Sequence, residues 1–250
     1  MCSVFSAGSA VDGEAWVQDV ASRLTRFAAG SELSRLNARA GEWVEVSPAL
    51  EAVLRAAERA YEMSWGLVNV AVLPSMLAAG YTRPLSQGPT TSTLERAQPT
   101  PALADVLSVH SGRARLRRGS GLDLGGIAKG WMADRLCDIL GTNCLVNLGG
   151  DLRAVGSWPV RFGGTTLMLR DQAAATSSVR QRRWGGVHHL IDPRTGLPCR
   201  TGLEEVSVVT ATAIEAEVVA KTALLLGPEV APAFCAQHAL AWCLDGRHDA

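Results

Sequence analysis

The spacing of apolar residues along the chain predicts long helices. The first covers residues 14–27, where apolar side chains recur every three or four positions, as on one face of a helix. The second is expected to begin at Ser47-Pro48, because serine is a favoured N-cap and proline suits the first helical position. The third covers residues 213–226 and ends at a Gly-Pro pair, a common helix stop.

Shorter patterns predict strands between these helices. Residues 41–47 alternate apolar and polar side chains, and residues 106–124 contain two strand-like runs joined by Ser-Gly. Residues 144–156 have two apolar runs around a Gly-Gly pair, which is typical of a hairpin. Residues 203–212 predict a further strand that leads into the last long helix. Because helices and strands are interspersed and no repeat or linker divides the chain, the sequence predicts one α+β domain over residues 1–250.

The charge balance argues against several classes of partner. Lys and Arg together number 24 and Asp and Glu together number 24, so the formal net charge is zero. A neutral chain has no general attraction to nucleic acid or to an anionic membrane surface. A hydrophobic fraction of 47% with 19% charged residues is typical of a globular protein. No uncharged apolar run reaches the roughly 20 residues that a membrane span needs.

The cysteines and the first residues bear on location. None of the six cysteines forms a C-x-x-C pair, and their apolar surroundings favour buried free thiols in a reducing compartment. The first residues lack the basic start and apolar run of a signal peptide. A cytoplasmic location is expected. The cysteines are Cys2, Cys137, Cys144, Cys199, Cys235 and Cys243.

The segment GLDLGGIAKGWMADRL, residues 121–136, is the first candidate for chemistry. A strand over GLDL is expected to enter a helix through Gly125-Gly126, where a ligand can approach the backbone because no Cβ is present. Free N–H groups at a helix start favour phosphate. Lys129, one of only two lysines, would add a compact positive charge one turn into the helix. A tight turn with a solvent-directed lysine fits the same pattern.

A second candidate is the polar segment HHLIDPRTG, residues 188–196. Neighbouring side chains of an extended chain face opposite sides, so at most one of His188 and His189 points into a site. The following residues predict a turn in which Asp192 and Thr195 can hydrogen-bond to a ligand or to the turn itself. Each of these features alone is explained by a structural role.

Six segments occur in an order that identifies a family. They are SELSRLN (31–37), DLGGIAKG (123–130), LVNLGGDLRA (145–154), ATS (175–177), HHLIDPRTGLP (188–198) and AIEAEVVAKTALLLG (213–227). Together they resemble the FAD:protein FMN transferase family, the ApbE-type proteins, from the first residues to about Gly227. Members of this family split FAD at its pyrophosphate, pass FMN to a Ser or Thr hydroxyl of a target protein and release AMP. The resemblance implies an ApbE-like, T-fold-like α+β domain with a mixed antiparallel sheet flanked by helices.

The resemblance also implies roles for single residues. His189 matches the expected base for the incoming hydroxyl, since a group with a pKa near neutral is needed there. Lys129 is expected to contact the FAD pyrophosphate beside the glycine turn. The remaining FAD contacts that the resemblance implies are Met1, Phe27, Leu67, Val68, Asn69 and Thr195.

The metal site is where the sequence departs from the family. The family's site resembles a backbone carbonyl at the position of Gly126 with an Asp and a Thr on the last long helix, where this chain has Glu217 and Lys221. Glutamate can ligate Mg²⁺, but a protonated lysine cannot. We therefore expect the Lys221 ammonium, paired with Glu217, in the place of the cation, and FAD binding that does not respond to Mg²⁺. Bound Mg²⁺ is one alternative, and a plain ion pair of about 0.2–0.5 kcal/mol is the other.

Three functions follow from the resemblance. The leading one is a cytoplasmic flavin transferase whose partners are FAD and a target protein with an acceptor Ser or Thr, with no nucleic acid and no membrane span. The altered metal helix favours a non-catalytic FAD-binding protein as the alternative. An FAD pyrophosphatase that uses water as the acceptor is the third.

Overall fold

The computed structural model describes residues 2–6, 11–88 and 90–249. Among these residues the helices are α1 (Gly13–Leu24), α2 (Glu32–Ala38), α3 (Pro48–Met63), α4 (Leu73–Ala78), α5 (Leu103–Val106), α6 (Ala128–Leu140), α7 (Ala213–Leu226) and α8 (Ala231–His238). Single 3-10 turns cover Val70–Val72, Leu85–Gln87 and Leu94–Arg96. None of these helices has the length and apolar character that crossing a bilayer requires.

The strands are short, and every ladder between them is antiparallel. They are β1 (Cys2–Ser6), β2 (Trp43–Glu45), β3 (Leu107–His110), β4 (Arg113–Leu116), β5 (Cys144–Leu148), β6 (Asp151–Val155), β7 (Ser157–Phe162), β8 (Thr165–Arg170), β9 (Ala173–Ser178), β10 (Arg183–Trp184), β11 (Val187–His188), β12 (Ile191–Asp192), β13 (Leu197–Pro198), β14 (Glu205–Thr210), β15 (Ala241–Leu244) and β16 (Arg247–Asp249).

The chain divides into two compact units, and each combines discontinuous stretches. Unit 1 contains residues 1–20, 127–178 and 201–250, and unit 2 contains residues 21–126 and 179–200. The predicted α+β class with antiparallel sheet is confirmed by these elements. That residues 1–250 act as one domain stays a prediction.

Unit 1 is built on a seven-stranded sheet in the order β1-β5-β6-β9-β14-β15-β16. Helices α6 and α7 pack against its central strands and against each other. α7 is buried on almost all sides, which explains why its sequence carries so few polar residues. The hairpin β7–β8 packs on the unit 1 sheet and contributes Phe162 and Leu169 to a hydrophobic cluster there.

Unit 2 is built around α3 and a three-stranded sheet in the order β2-β4-β3. Ser47 caps α3 as predicted, because its hydroxyl accepts from the N–H of Leu50 at 3.2 Å. Residues 179–200 add the small ladders β10–β11 and β12–β13. Their Ile191 packs into a small core with Met76 and Ala79.

Three sequence expectations differ from the structure. α1 ends at Leu24 rather than at Phe27. Residues 121–124 are irregular rather than a strand, because the side chain of Asn37 binds both the N–H and the carbonyl of Leu122. Cys2 is an exposed free cysteine, because it lies on the outermost strand of the unit 1 sheet, whereas the other five cysteines are buried.

Candidate functional site

A lysine and two carboxylates meet inside unit 1. The Lys129 ammonium forms a salt bridge with Asp151 and lies 3.3 Å from Oε1 of Glu217. Asp151 and Glu217 are only 3% and 4% exposed, and about a quarter of the Lys129 side chain (26%) is exposed. We call these three residues the ion cluster. It places a positive charge between two buried negative charges.

The hairpin β5–β6 positions Asp151. The turn between the strands consists of Gly149 and Gly150, whose φ angles of 70° and 104° suit glycine far better than other residues. The N–H of Gly150 donates to the side chain of Asn147 at 2.9 Å, which holds the turn. Asp151 is therefore the first residue of β6, and β6 packs directly against α6.

A close helix crossing positions Glu217. The N–H of Gly130 in α6 donates to Oε2 of Glu217 in α7 at 3.0 Å. A Cβ at position 130 would lie 2.7 Å from the carbonyl oxygen of Ala213, so only glycine fits between the helices. Gly130 thus brings the start of α6, with Lys129, to the buried face of α7.

Asp134 fixes the same two helices one turn further along α6. Its carboxylate accepts from the N–H groups of Ala213 at 2.7 Å and Ile214 at 2.9 Å, at the first turn of α7. Burial raises the pKa of Asp134 to about 6, although these two hydrogen bonds act in the opposite direction. Thr212 completes the start of α7 with a capping box.

Burial also dominates the electrostatics of Asp151. Loss of water and the neighbouring charge of Glu217 raise the pKa of Asp151 to about 6. Lys129 lowers that pKa by its charge and its hydrogen bond, and the charge of Lys221 lowers it as well. Both lysines of the chain therefore act on one buried carboxylate.

These residues do not fit a Mg²⁺ ion. Mg²⁺ is bound through oxygen ligands in near-octahedral geometry, and here an ammonium contacts both carboxylates. Within the described residues, no group of three or more His, Cys, Asp and Glu side chains is arranged to hold a metal ion. Glu217 forms an ion pair with Lys129, while Lys221 lies one turn along α7. The roles of Gly126, Glu217 and Lys221 at a cation site stay predictions.

Phe27 belongs to an aromatic group in unit 2. Phe27 is 38% exposed, and its ring centre lies 5.5 Å from that of Tyr81, which lies 5.3 Å from that of Trp184. The Arg26 guanidinium lies 4.1 Å from the centre of the Phe27 ring and 4.7 Å from that of Tyr81. It is held there by a salt bridge to Asp123 and a 2.7 Å hydrogen bond to the carbonyl of Tyr81.

The predicted flavin-contact stretch at Leu67, Val68 and Asn69 is buried in unit 2. The Asn69 amide donates to the carbonyl of Pro101 at 2.9 Å and accepts from the N–H of Ala71 at 3.0 Å. This side chain therefore organises the surrounding loops. Whether these three residues contact flavin stays a prediction, and Met1 lies outside the described residues.

The two adjacent histidines have different environments. His188 is buried, Leu190 N–H donates to its Nδ1 at 3.3 Å, and its Nε2 lies 2.9 Å from the carbonyl of Cys199. This pattern fits the neutral tautomer with the proton on Nε2. Burial, reinforced by Arg183 and Arg200, lowers the pKa of His188. His189 is half-buried, with its Nδ1 shielded from solvent, and its role as a base stays a prediction.

Thr195 lies in the predicted turn after β12. Its N–H and that of Gly196 both donate to the carbonyl of Asp192, at 3.2 Å and 2.8 Å. Its hydroxyl accepts from the N–H of Leu197 at 3.2 Å, and the Asp192 carboxylate binds Arg194. The exposed Thr195 therefore stabilises the turn, and its contact with FAD stays a prediction.

Sequence reasoning did not single out four residues that these arrangements depend on. They are Arg26, Tyr81, Asp151 and Trp184. One signal was available for Asp151, which is the acidic residue directly after the glycine turn of an otherwise apolar hairpin. The other three meet only through contacts that are distant in sequence.

Known proteins share sequence with this chain over part or most of its length. An FAD:protein FMN transferase from Klebsiella pneumoniae is 33% identical over 129 residues, which are 44% of this chain and 39% of that protein. The chain therefore spans about two fifths of that relative's length. An FAD:protein FMN transferase from Haemophilus influenzae is 26% identical over 251 residues, which are 87% of this chain and 72% of that protein.

Structural similarity covers more of the chain. The crystal structure of the ApbE protein from Thermotoga maritima superposes with a TM-score of 0.81 and 24% identity, over 98% of this chain and 90% of that one. This similarity confirms the ApbE-like fold. The family model for the ApbE family matches residues 4–244, and the chain therefore belongs to the ApbE family.

Proposed function

We propose that this protein is an FAD:protein FMN transferase, which cleaves FAD at its pyrophosphate and transfers FMN to a Ser or Thr hydroxyl of a target protein. The observation that carries the proposal is the family match over residues 4–244, together with relatives that are named FAD:protein FMN transferases. FAD is the substrate that this activity requires, and AMP is the second product.

The reaction forms one bond and breaks one. The acceptor oxygen bonds to the phosphorus on the FMN side, and the bond from that phosphorus to the bridging oxygen breaks, so AMP leaves with the bridging oxygen. His189 takes the proton of the hydroxyl, a role that a half-buried imidazole can fill near neutral pH. The Lys129 ammonium neutralises phosphate charge in this proposal.

Flavin binding is assigned to unit 2. Phe27, which is partly exposed beside Arg26 and Tyr81, offers an apolar ring face to the isoalloxazine. We further propose contacts of FAD with Met1, Leu67, Val68, Asn69 and Thr195, as the family resemblance implies. A cytoplasmic location is supported by the five buried free thiols.

The test measures AMP release and covalent flavin together. The full chain is incubated with FAD and a candidate acceptor, and flavin on the acceptor is read by in-gel fluorescence. His189→Ala is expected to lower turnover by roughly 10²-fold or more while FAD affinity is kept. His110→Ala, at an exposed histidine on β3, is the matched control and should leave turnover unchanged.

The alternatives give different products. AMP and free FMN without an acceptor would indicate a pyrophosphatase that uses water. FAD binding without AMP, when tested with the true acceptor, would contradict the transferase and leave a flavin-binding protein. Equal turnover of wild type and His189→Ala would contradict His189 as the base.

A further inference from the structure

The ion cluster is a buried arrangement of charges in which an amine contacts both acids. Asp151 and Glu217 are almost fully buried, and a buried carboxylate is stable in its charged form only with a counter-charge and hydrogen bonds. The counter-charge of both is the ammonium of Lys129. The chain thus supplies from its own α6 the positive charge that such a pair of acids requires.

The charge sum supports this assignment. Two carboxylates are matched by Lys129, which contacts both, and by Lys221, which lies one turn from Glu217 on α7. The arithmetic is two negative and two positive charges, which sum to zero. A site that attracts a divalent cation keeps an excess of negative charge, because carboxylate oxygens are its ligands.

The backbone reinforces the position of the lysine. Oε2 of Glu217 already accepts from the N–H of Gly130, so its Oε1 is the oxygen that faces Lys129. Lys129 and Gly130 are neighbours in the first turn of α6, and Gly130 cannot change without a clash with α7. The helix crossing therefore fixes the backbone from which the Lys129 side chain reaches Glu217.

We propose that the Lys129 ammonium takes the place of a divalent cation between Asp151 and Glu217, so that unit 1 binds no such cation unless Lys129 is removed. The sequence pointed to Lys221 for this role, whereas the contacts point to Lys129 with Asp151 as a partner. Resting on the proposed function, the consequence is that the phosphates of FAD are bound without Mg²⁺. The prediction that no divalent cation binds between Asp151 and Glu217 does not depend on catalytic turnover.

The first experiment uses Mn²⁺ as a spectroscopic substitute for Mg²⁺. The full chain, freed of metal with chelator, is titrated with Mn²⁺, and bound ion is counted by electron paramagnetic resonance. Wild type is expected to bind less than about 0.1 equivalent at micromolar Mn²⁺, because a site with no net charge attracts a divalent cation only weakly. Lys129→Met, which keeps most of the length of the side chain and removes its charge, is expected to bind about one ion per chain, because both carboxylates lose the ammonium that contacts them.

Two controls make the gain specific. Lys221→Met removes the other ammonium but leaves Lys129 in contact with both acids, and it should bind no Mn²⁺. Lys129→Met/Glu217→Gln removes one ligand as well, and it should lose the ion gained by the single variant. One Mn²⁺ per chain in wild type, displaced by Mg²⁺, would overturn the proposal, and so would a folded Lys129→Met that gains none.

A second measurement covers the case in which Lys129→Met does not fold. FAD binding to wild type is measured by quenching of flavin fluorescence, with chelator and with Mg²⁺. The dissociation constants are expected to agree within about twofold, and a tenfold or greater tightening by Mg²⁺, about 1.4 kcal/mol, would overturn the proposal. If FAD does not bind under either condition, the proposed function fails, while the Mn²⁺ titration of wild type still decides the metal question.

Discussion

Gly130 and Glu217 join the first turn of α6 to the second turn of α7 through a 3.0 Å hydrogen bond from a backbone N–H to a buried carboxylate. The bond exists because the helices cross where residue 130 has no side chain. The same carboxylate faces Lys129 with its other oxygen. One glycine thereby sets both the packing of two helices and the geometry of the ion cluster.

Gly130→Ala is expected to lower the free energy of unfolding by about 1–3 kcal/mol, the usual cost of forcing a methyl group into a packed contact. The new Cβ would lie 2.7 Å and 2.8 Å from backbone atoms of Ala213 and Ile214, which cannot move independently of α7. Urea denaturation measures the change. Gly30→Ala is the control, because no atom lies within 4 Å of its Cβ position. Equal losses in both variants would contradict the close crossing.

Asp134→Ala is expected to cost about 1–3 kcal/mol, because two N–H groups at the start of α7 lose their acceptor. Asp134→Asn should cost less, since its amide oxygen still accepts one of them. Asp138→Ala on the same helix is the control: its side chain is 67% exposed, and it should change stability by less than about 0.5 kcal/mol. Thermal and urea unfolding provide the comparison, and similar values for Asp134→Ala and Asp138→Ala would refute the capping role.

Arg26→Met is expected to destabilise the protein by about 3–5 kcal/mol, because it leaves Asp123 charged in a largely buried place. The side chains of Arg26 and Asp123 are 5% and 11% exposed. Arg26→Met/Asp123→Asn should recover part of the loss, because no uncompensated charge remains. A double-mutant cycle in urea measures the coupling, and strictly additive costs would show that the pair does not interact.

Acid is expected to weaken the fold through His188. Its pKa in the folded protein lies below the ordinary value of 6.5, so below pH 6.5 the unfolded chain binds a proton that the native state does not. Its contribution to stability is thus complete above that pH. It declines as the pH falls, by at most about 1.4 kcal/mol per pH unit. Urea midpoints at pH 7.5 and pH 5 measure the decline.

His188→Gln provides the comparison, because glutamine does not titrate. Asp134 and Asp151, with pKa values raised to about 6, act in the opposite sense and gain stability as the pH falls. They contribute equally to wild type and variant, so the difference between the two profiles isolates His188. Identical profiles would contradict a neutral, buried His188.

Local patterns predicted the elements whose cause is local. The Ser47 cap, the hairpin around Gly149-Gly150 and the bounds of α7 follow from side chains within a few residues of one another. Residues 121–124 were wrongly predicted as a strand, because their partner is the side chain of Asn37, far away in sequence. The pattern of apolar and polar residues cannot reveal a hydrogen bond between residues so far apart in sequence.

The candidate site was also predicted only in part from the sequence. Lys129 and Glu217 were identified because lysine is rare in this chain and because both lie in family motifs. Their contact with each other was not foreseen, since Lys221 stands four residues from Glu217 and is the obvious partner in a helix. Asp151 completes the ion cluster only once β6 packs on α6. The spacing of residues along a helix predicts contacts within that helix, but it does not predict contacts between two helices.

The assembly of unit 1 from separated stretches has a consequence for biosynthesis. Strand β1 pairs with β5, and Cys2 lies opposite Leu148 in that ladder, so β1 has no partner until residue 148 has been made. The sheet is completed only when β15 pairs with β14 and β16 pairs with β15. At roughly 5–20 residues per second, the ribosome needs on the order of ten seconds to proceed from β1 to β5. During that interval the nascent chain carries β1 without its partner, while residues 21–126 of unit 2 have already been translated. β1 therefore pairs with β5 only after residues 21–126 have been made, and β14, β15 and β16 then complete the same sheet.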